Sequence, residues 1–212
     1  MAFPTDNELE PTNQILMSIG QAPVTTLDQT NPDVAIAYNT LLEVSREVQA
    51  EGWAFNREYD VSFPPDTNDN ILIPANIIRI DLNNNSTNAS ANAKTNSVIR
   101  TDTSDNQRKL YDKYNHTFEW TGTTYKCDVV YKYDWIDIPV PVQDYITSRA
   151  ATIASSRIVG DPQQYRLLQQ KEALAKATAL EYECDQGDYS YFGFPRGRNY
   201  HATYKPYEVL TR

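Results

Sequence analysis

The amino-acid sequence predicts an α+β protein. It reads as a discontinuous bundle of four helices, an antiparallel β domain inserted at its middle, and an extended C-terminal arm. Three observations predict this. Two Asx–Pro pairs, Asn31-Pro32 and Asp161-Pro162, each open a long helix-compatible run. Between those runs the apolar spacing changes to alternation, as in Tyr59, Val61 and Phe63. The last 27 residues combine five tyrosines with glycines and prolines that forbid a long regular element.

The elements follow in order. Pro11 suits the first position of a helix, Ile15, Leu16 and Ile19 supply its apolar side, and Gly20 stops it. Thr5 and Glu8 have capping-box spacing, but Pro11 argues against one continuous helix from there. Gln21-Ala22-Pro23-Val24 connects to a second helix, capped by Asn31, with Asp33 at the positive end of its dipole and Gly52 just past its end. Its roughly 20 residues span about 30 Å. In the β region, Tyr125, Cys127 and Val129 repeat the alternation, and Ile71–Leu82 reads as an edge strand because it contains Pro74. The Asn-rich stretch 83–96 has no large apolar side chain and reads as an exposed loop. Its N-x-S/T triplets read as compositional accidents. Tyr111, Tyr114, Phe118 and Trp120 bracket a hairpin. Pro139 and Pro141 end the last strand, a helix follows over 142–159, Gly160 ends it, and an Ala-rich helix runs from Pro162 to about Cys184. The expected domains are 1–52 and 139–185 for the two halves of the helical domain, 53–138 for the β insertion, and 186–212 for the arm.

The faces of these helices are wider than one core needs. On the 32–51 helix, Val34, Tyr38, Leu41, Leu42, Val44 and Val48 with two alanines fill an arc of roughly 180°, against the ~100° of an ordinary surface helix. Leu167, Leu168, Leu174 and Leu180 do not share one narrow stripe. Either four helices cover this surface around one core, or each subunit offers a second apolar face to a neighbour. The aromatics of the arm pose the same choice. Tyr189, Tyr191, Phe192, Phe194, Tyr200, Tyr204 and Tyr207 lie back on their own subunit or dock on another chain.

Composition narrows the function. The 212-residue chain carries a net charge of −9, which argues against a phosphate-neutralising surface. Residues 1–52 hold eight acids and only Arg46, whereas 139–212 hold nine bases and eight acids. No apolar run approaches the roughly 18 residues of a membrane span, and the N-terminus predicts no secretory signal. Cys127 and Cys184 form neither a metal spacing nor a disulfide framework, which suits a reducing compartment.

Catalytic motifs are missing. There is no G-x-S-x-G, P-loop, G-x-G-x-x-G or H-E-x-x-H. The two histidines, His116 and His201, have no signature around them. Glu181, Glu183 and Asp185 read as a solvated helix end, and the alternating Asp66, Asn68 and Asn70 lack the Gly and Glu of a calcium loop. Trp53, Phe55, Trp120 and Trp135 could build a sugar-stacking platform, but read better as core or interface. No cofactor and no metal are expected.

Two segments add a resemblance. Asn13-Gln14-Ile15-Leu16-Met17-Ser18-Ile19-Gly20-Gln21-Ala22-Pro23-Val24-Thr25-Thr26-Leu27 resembles the N-terminal signature of the tail tubular protein A family, the head-to-tail adaptors of short-tailed, T7-like bacteriophages. Gly52-Trp53-Ala54-Phe55-Asn56 resembles that family's Gly-Trp-x-Phe-Asn motif, and Leu210-Thr211-Arg212 resembles its end. The resemblance is specific over 13–56, loose over 139–185 and absent over 64–135. It implies a structural virion protein in the tail, assembled in the host cytoplasm, without enzymatic activity. The implied partners are eleven further copies in a dodecameric ring, the portal protein, the nozzle protein (tail tubular protein B) and the tail fibre. DNA would pass through the channel without specific binding, and Trp53 and Phe55 would pin the β domain to the bundle. The rival expectations are a tail-associated hydrolase acting through carboxylates and tryptophans, and a carbohydrate-binding module for host surface glycans.

Overall fold

A computed structural model describes residues 6–82, 97–122 and 124–187. Their four α-helices and small antiparallel sheets form an α+β fold. The chain divides into two compact units. One takes the residues up to Glu51 and those from Tyr133 onward, and the other runs from Gly52 to Lys132.

The helical unit starts with a 3-10 turn, Asp6–Glu8, that leads into α1 (Leu9–Ser18). The helix begins two residues before Pro11, so the proline sits in the first turn and not at its first position. A missing N–H costs nothing there, because no carbonyl of the helix reaches it. The Thr12 hydroxyl donates to the Glu8 carbonyl at 2.7 Å. Gly20 ends α1 with φ +81°, and the bonds Gly20 N–H to Met17 O (3.1 Å) and Gln21 N–H to Leu16 O (2.9 Å) close a Schellman motif. The connection beyond is pinned by a side chain. The Asn13 amide accepts from Val24 N–H at 2.8 Å and donates to Val24 O at 2.9 Å, imitating a backbone partner.

Helix α2 (Pro32–Ala50) opens as the sequence predicts, with the Asn31 side chain accepting from Asp33 N–H at 3.0 Å. It buries Val34, Ala37, Tyr38, Leu41, Val44 and Val48. Its buried Gln49 accepts from Tyr133 N–H at 2.7 Å and donates to Tyr133 O at 3.2 Å. A second amide therefore replaces a backbone partner, here across 84 positions of chain. The 3-10 turn Trp135–Asp137 and Ile138, expected to belong with the strands, pack in the helical unit. Helix α3 is Val140–Ile158, two residues longer at its start than predicted, because Pro141 is tolerated in a first turn just as Pro11 is. It is the most buried helix, and its inner side is small: Ser148, Ala150, Ala151, Ala154 and Ser155. Gly160 at φ +69° stops it. Helix α4 (Pro162–Gly187) packs on α3, capped by Asp161, which accepts from Gln163 N–H at 3.0 Å. It runs three residues past Cys184. The Gln164 side-chain amide donates to the Ser18 carbonyl and satisfies an orphan acceptor at the end of α1.

The β unit contains β1 (Arg57–Phe63), β2 (Ile77–Leu82), β3 (Ser97–Thr101), β4 (Arg108–Asp112) and β5 (Tyr125–Tyr131). One sheet has the order β1-β5-β2 and is antiparallel throughout, and β3 and β4 form a separate hairpin. Tyr125, Cys127 and Val129 face the core, as alternation predicts, with Ile71, Ile73, Ile77, Ile80, Leu82, Leu110 and Trp120. The expected run Ile71–Leu82 breaks at Pro74. Ile71 and Ile73 bond to the β4 segment, through Leu110 N–H to Ile71 O (3.0 Å) and Ile73 N–H to Arg108 O (2.8 Å). Only the part from Ile77 enters the larger sheet, at its edge. The Arg108 guanidinium donates to the carbonyls of Pro74, Ala75 and Ile77 and braces the break.

Strand β1 carries a bulge. Tyr59 and Asp60 lie between the paired residues Glu58↔Val129 and Val61↔Cys127, so two residues face one. Asp60 takes φ +56°, and its N–H donates to Asp128 Oδ1 at 3.1 Å. Tyr59 is thereby turned out while Val61 and Phe63 keep to the core. Gly52 opens the unit at φ +79°, and a Cβ there would meet Arg57 Nη2 at 2.9 Å and Arg79 Nη2 at 3.0 Å. The aromatic hairpin is present. Asp112 and Thr117 pair, the Asp112 carboxylate gathers the N–H groups of Tyr114 and Asn115, and the Tyr111 and Phe118 rings meet edge-on at 4.9 Å.

The buried Lys109 ammonium lies 2.8 Å from Asp102 and 2.6 Å from Asp105 at the β3–β4 turn. The bond from Lys109, with those from Ser104, holds the Asp102 carboxyl down at about 2, against an ordinary 3.8. A depressed carboxylate stabilises the fold above its ordinary value and stops doing so as pH falls through about 2. In Lys109→Met the Asp102 carboxyl carbon should titrate near 3.8, which NMR against the wild type reads directly. Gln49→Leu strands the N–H and carbonyl of Tyr133, and urea unfolding should show a loss of about 1–3 kcal/mol per abandoned group.

Candidate protein interface

The longest helix is the least covered. Across its 26 residues α4 buries only Ala179. Leu167 and Leu174 are 67 % and 71 % exposed. At about 100° per residue they stand within roughly 20° of one another and about 120–140° from Ala179, so they share an outer stripe. Leu168 is half-buried and Leu180 lies on a different side. The sequence expectation that these leucines do not share one face therefore has a physical cause: the helix has an inner edge against α3 and an outer edge against nothing in its own unit. Exposed Arg166 and Lys171 flank the outer stripe.

A groove lies elsewhere in the helical unit, lined by Asn7, Glu10 and Gln14 near the start of α1 and by Trp135, Ile136, Val140 and Asp144 near the start of α3. Ile136 and Val140 are 68 % and 66 % exposed at its rim. Both charged lining residues, Glu10 and Asp144, are acids. Sequence reading missed this groove. The available signal was Val140 held between Pro139 and Pro141, with Ile136 close before it, and the expectation of a strand ending there hid it.

The acidic surface of α2 is partly answered inside the unit. Glu43 meets Arg157 at 2.9 Å and Glu47 meets Arg149 at 2.9 Å, both across α2 and α3. The Arg157 guanidinium holds the Glu43 carboxyl below its ordinary value. The Tyr38 hydroxyl donates to Glu8 at 2.7 Å, and burial, reinforced by that carboxylate, raises its pKa.

Of the interface residues predicted from sequence, Trp53 is buried at 4 % exposure and Phe55 is half-buried, both at the start of the β unit. Tyr189, Tyr191, Phe192, Phe194, Tyr200, Tyr204 and Tyr207 lie outside the described residues, as do His201 and the 83–96 stretch. The neighbouring Asn56 joins Tyr131 through both its backbone and its side chain, at 2.8 and 2.9 Å. Trp120 donates its indole N–H to Leu110 O at 2.9 Å within the β core, and Trp135 is buried at the groove floor. His116 sits exposed in a turn at φ +56°. Asp66 is occupied by its own loop, accepting from Asn68 and Asn70 N–H at 2.8 Å. Burial pushes the Cys127 thiol up to about 12, helped by Asp128 and Asp81.

A family model described as tail tubular protein matches residues 9–189. The chain belongs to the tail tubular protein family. It is thus a structural protein of a bacteriophage tail, and the virion tail is its place. The match spans both units and all four helices. No curated protein matches the chain.

For a tail component, an outer helix stripe is surface held for assembly. Leu174→Gln should leave the unfolding free energy of the isolated subunit within about 0.5 kcal/mol of wild type. Leu41→Ala, in the core of α2, should cost about 2–5 kcal/mol in the same urea titration.

Proposed function

We propose that this tail tubular protein is the head-to-tail adaptor, a ring of copies that joins the portal to the tail nozzle and helps seat the tail fibres. The observation that carries the reading is α4: a 26-residue helix with one buried residue and an outward leucine stripe is the helix of an assembly subunit. The resemblance of 13–27 and 52–56 to the adaptor family supports it, and Asn13, Gly20, Gly52 and Asn56 of those segments each do a structural task that their residue type alone can do. In the proposed ring twelve copies meet through the same pair of unlike surfaces, closing by rotation. The Tyr-rich segment 188–212 reaches the portal or a neighbouring subunit, and the β unit faces the fibre. The acids of the first 52 residues that α3 does not neutralise line a channel that repels phosphate and lets DNA slide.

Particles assembled without this chain should accumulate as filled heads lacking nozzle and fibres. A chain truncated after Gly187 should fold, by circular dichroism, yet fail to co-sediment with portal. Full co-sedimentation of the truncated chain would give the segment another task, and tailed particles formed without the protein would end the adaptor reading.

A further inference from the structure

We propose that the outer stripe of α4 is one half of a contact between copies of this chain, and that its other half is the groove between the starts of α1 and α3 on the next copy. The proposal rests on the adaptor reading for its setting and adds the surfaces that meet.

The stripe cannot serve its own unit. Ala179 faces inward, and a straight helix that turns Ala179 inward turns Leu167 and Leu174 away. The groove has the matching character. Ile136 and Val140 give it apolar lips, buried Trp135 a floor, and Glu10 and Asp144 an acidic rim. No base lines it. On α4, exposed Arg166 stands about 80–100° to one side of the leucines and exposed Lys171 about 40–60° to the other. A leucine pair flanked by cations therefore meets an apolar trough flanked by carboxylates. The contact covers 166–174, since Glu181 and Asp185 carry the same stripe on as acids. Charged rims of opposite sign fix register and exclude the like-on-like pairing of two α4 helices or two grooves. Because stripe and groove are different surfaces of one chain, each copy has one of each to offer, and the contact repeats head to tail.

The test is cross-linking inside assembled particles. Gln170→Cys beside the stripe is combined with Gln14→Cys in the groove, in a Cys184→Ser background that removes the exposed native thiol. Cys127 is buried and stays silent. A short bis-maleimide should yield a ladder of dimers, trimers and higher multimers on a denaturing gel, and each single-cysteine variant should yield no ladder. Complete particles that contain the double variant but give no ladder overturn the proposal while leaving the adaptor reading intact. Wild-type chain absent from the tail overturns both. The reversal Arg166→Glu with Lys171→Glu should cut incorporation into particles at least tenfold, as should Glu10→Lys with Asp144→Lys. Carrying both reversals on one chain should restore incorporation, and failure to restore it in a chain with wild-type circular dichroism counts against the contact.

Discussion

The helical unit depends on one side chain more than on any other. Its helices come from two stretches of chain with the whole β unit between them, and Gln49 ties the departing stretch to the returning one across 84 positions. The amide satisfies both backbone groups of Tyr133 at once, so the return point is fixed in position and direction. From there Trp135 and Ile138 enter the core, Pro139 sets the turn, and α3 lies down between α2 and α4. Inside the β unit Asn56 makes the corresponding bonds to Tyr131. Asn13 does the same for the connection between α1 and α2. Amides suit all three places because they carry donor and acceptor at the spacing of a peptide group and bear no charge to desolvate.

What was legible in the sequence was local. Gly20, Gly52 and Gly160 all take the left-handed conformation expected of helix-ending glycines, and Asn31 and Asp161 cap the helices that their prolines announce. The alternation of β5 could be read because each of its residues answers to one sheet face. What was not legible is what depends on distant chain. A proline fits any position of a first turn, so Pro11 and Pro141 could not fix where their helices start. The bulge at Asp60 is stabilised by Asp128, 68 positions on, and nothing near Tyr59 signals it. The groove escaped notice because its walls come from opposite ends of the sequence.

Charge teaches the same lesson. Counting by zone made the first 52 residues strongly acidic and the last 74 slightly basic, a pattern that invites contact between copies. The structure uses part of that difference within one subunit, where Arg149 and Arg157 of α3 answer Glu47 and Glu43 of α2. What is left for partners is narrower and better placed. Arg166 and Lys171 are exposed on α4, and Glu10 and Asp144 are at the groove.

The discontinuous helical unit sets an order of events at the ribosome. Translation delivers α1 and α2 first, but their main partner, α3, emerges only after the entire β unit has been made. The β unit is one unbroken stretch of chain, free to fold while the early helices wait with Val34, Leu41, Val44 and Val48 uncovered. Release of the finished polypeptide then lets α3 insert and Gln49 lock, which leaves the assembly helix as the last part of the described fold to be placed. A nascent chain therefore has no formed docking surface to engage a sister copy, and premature association on the polysome is avoided by chain order alone.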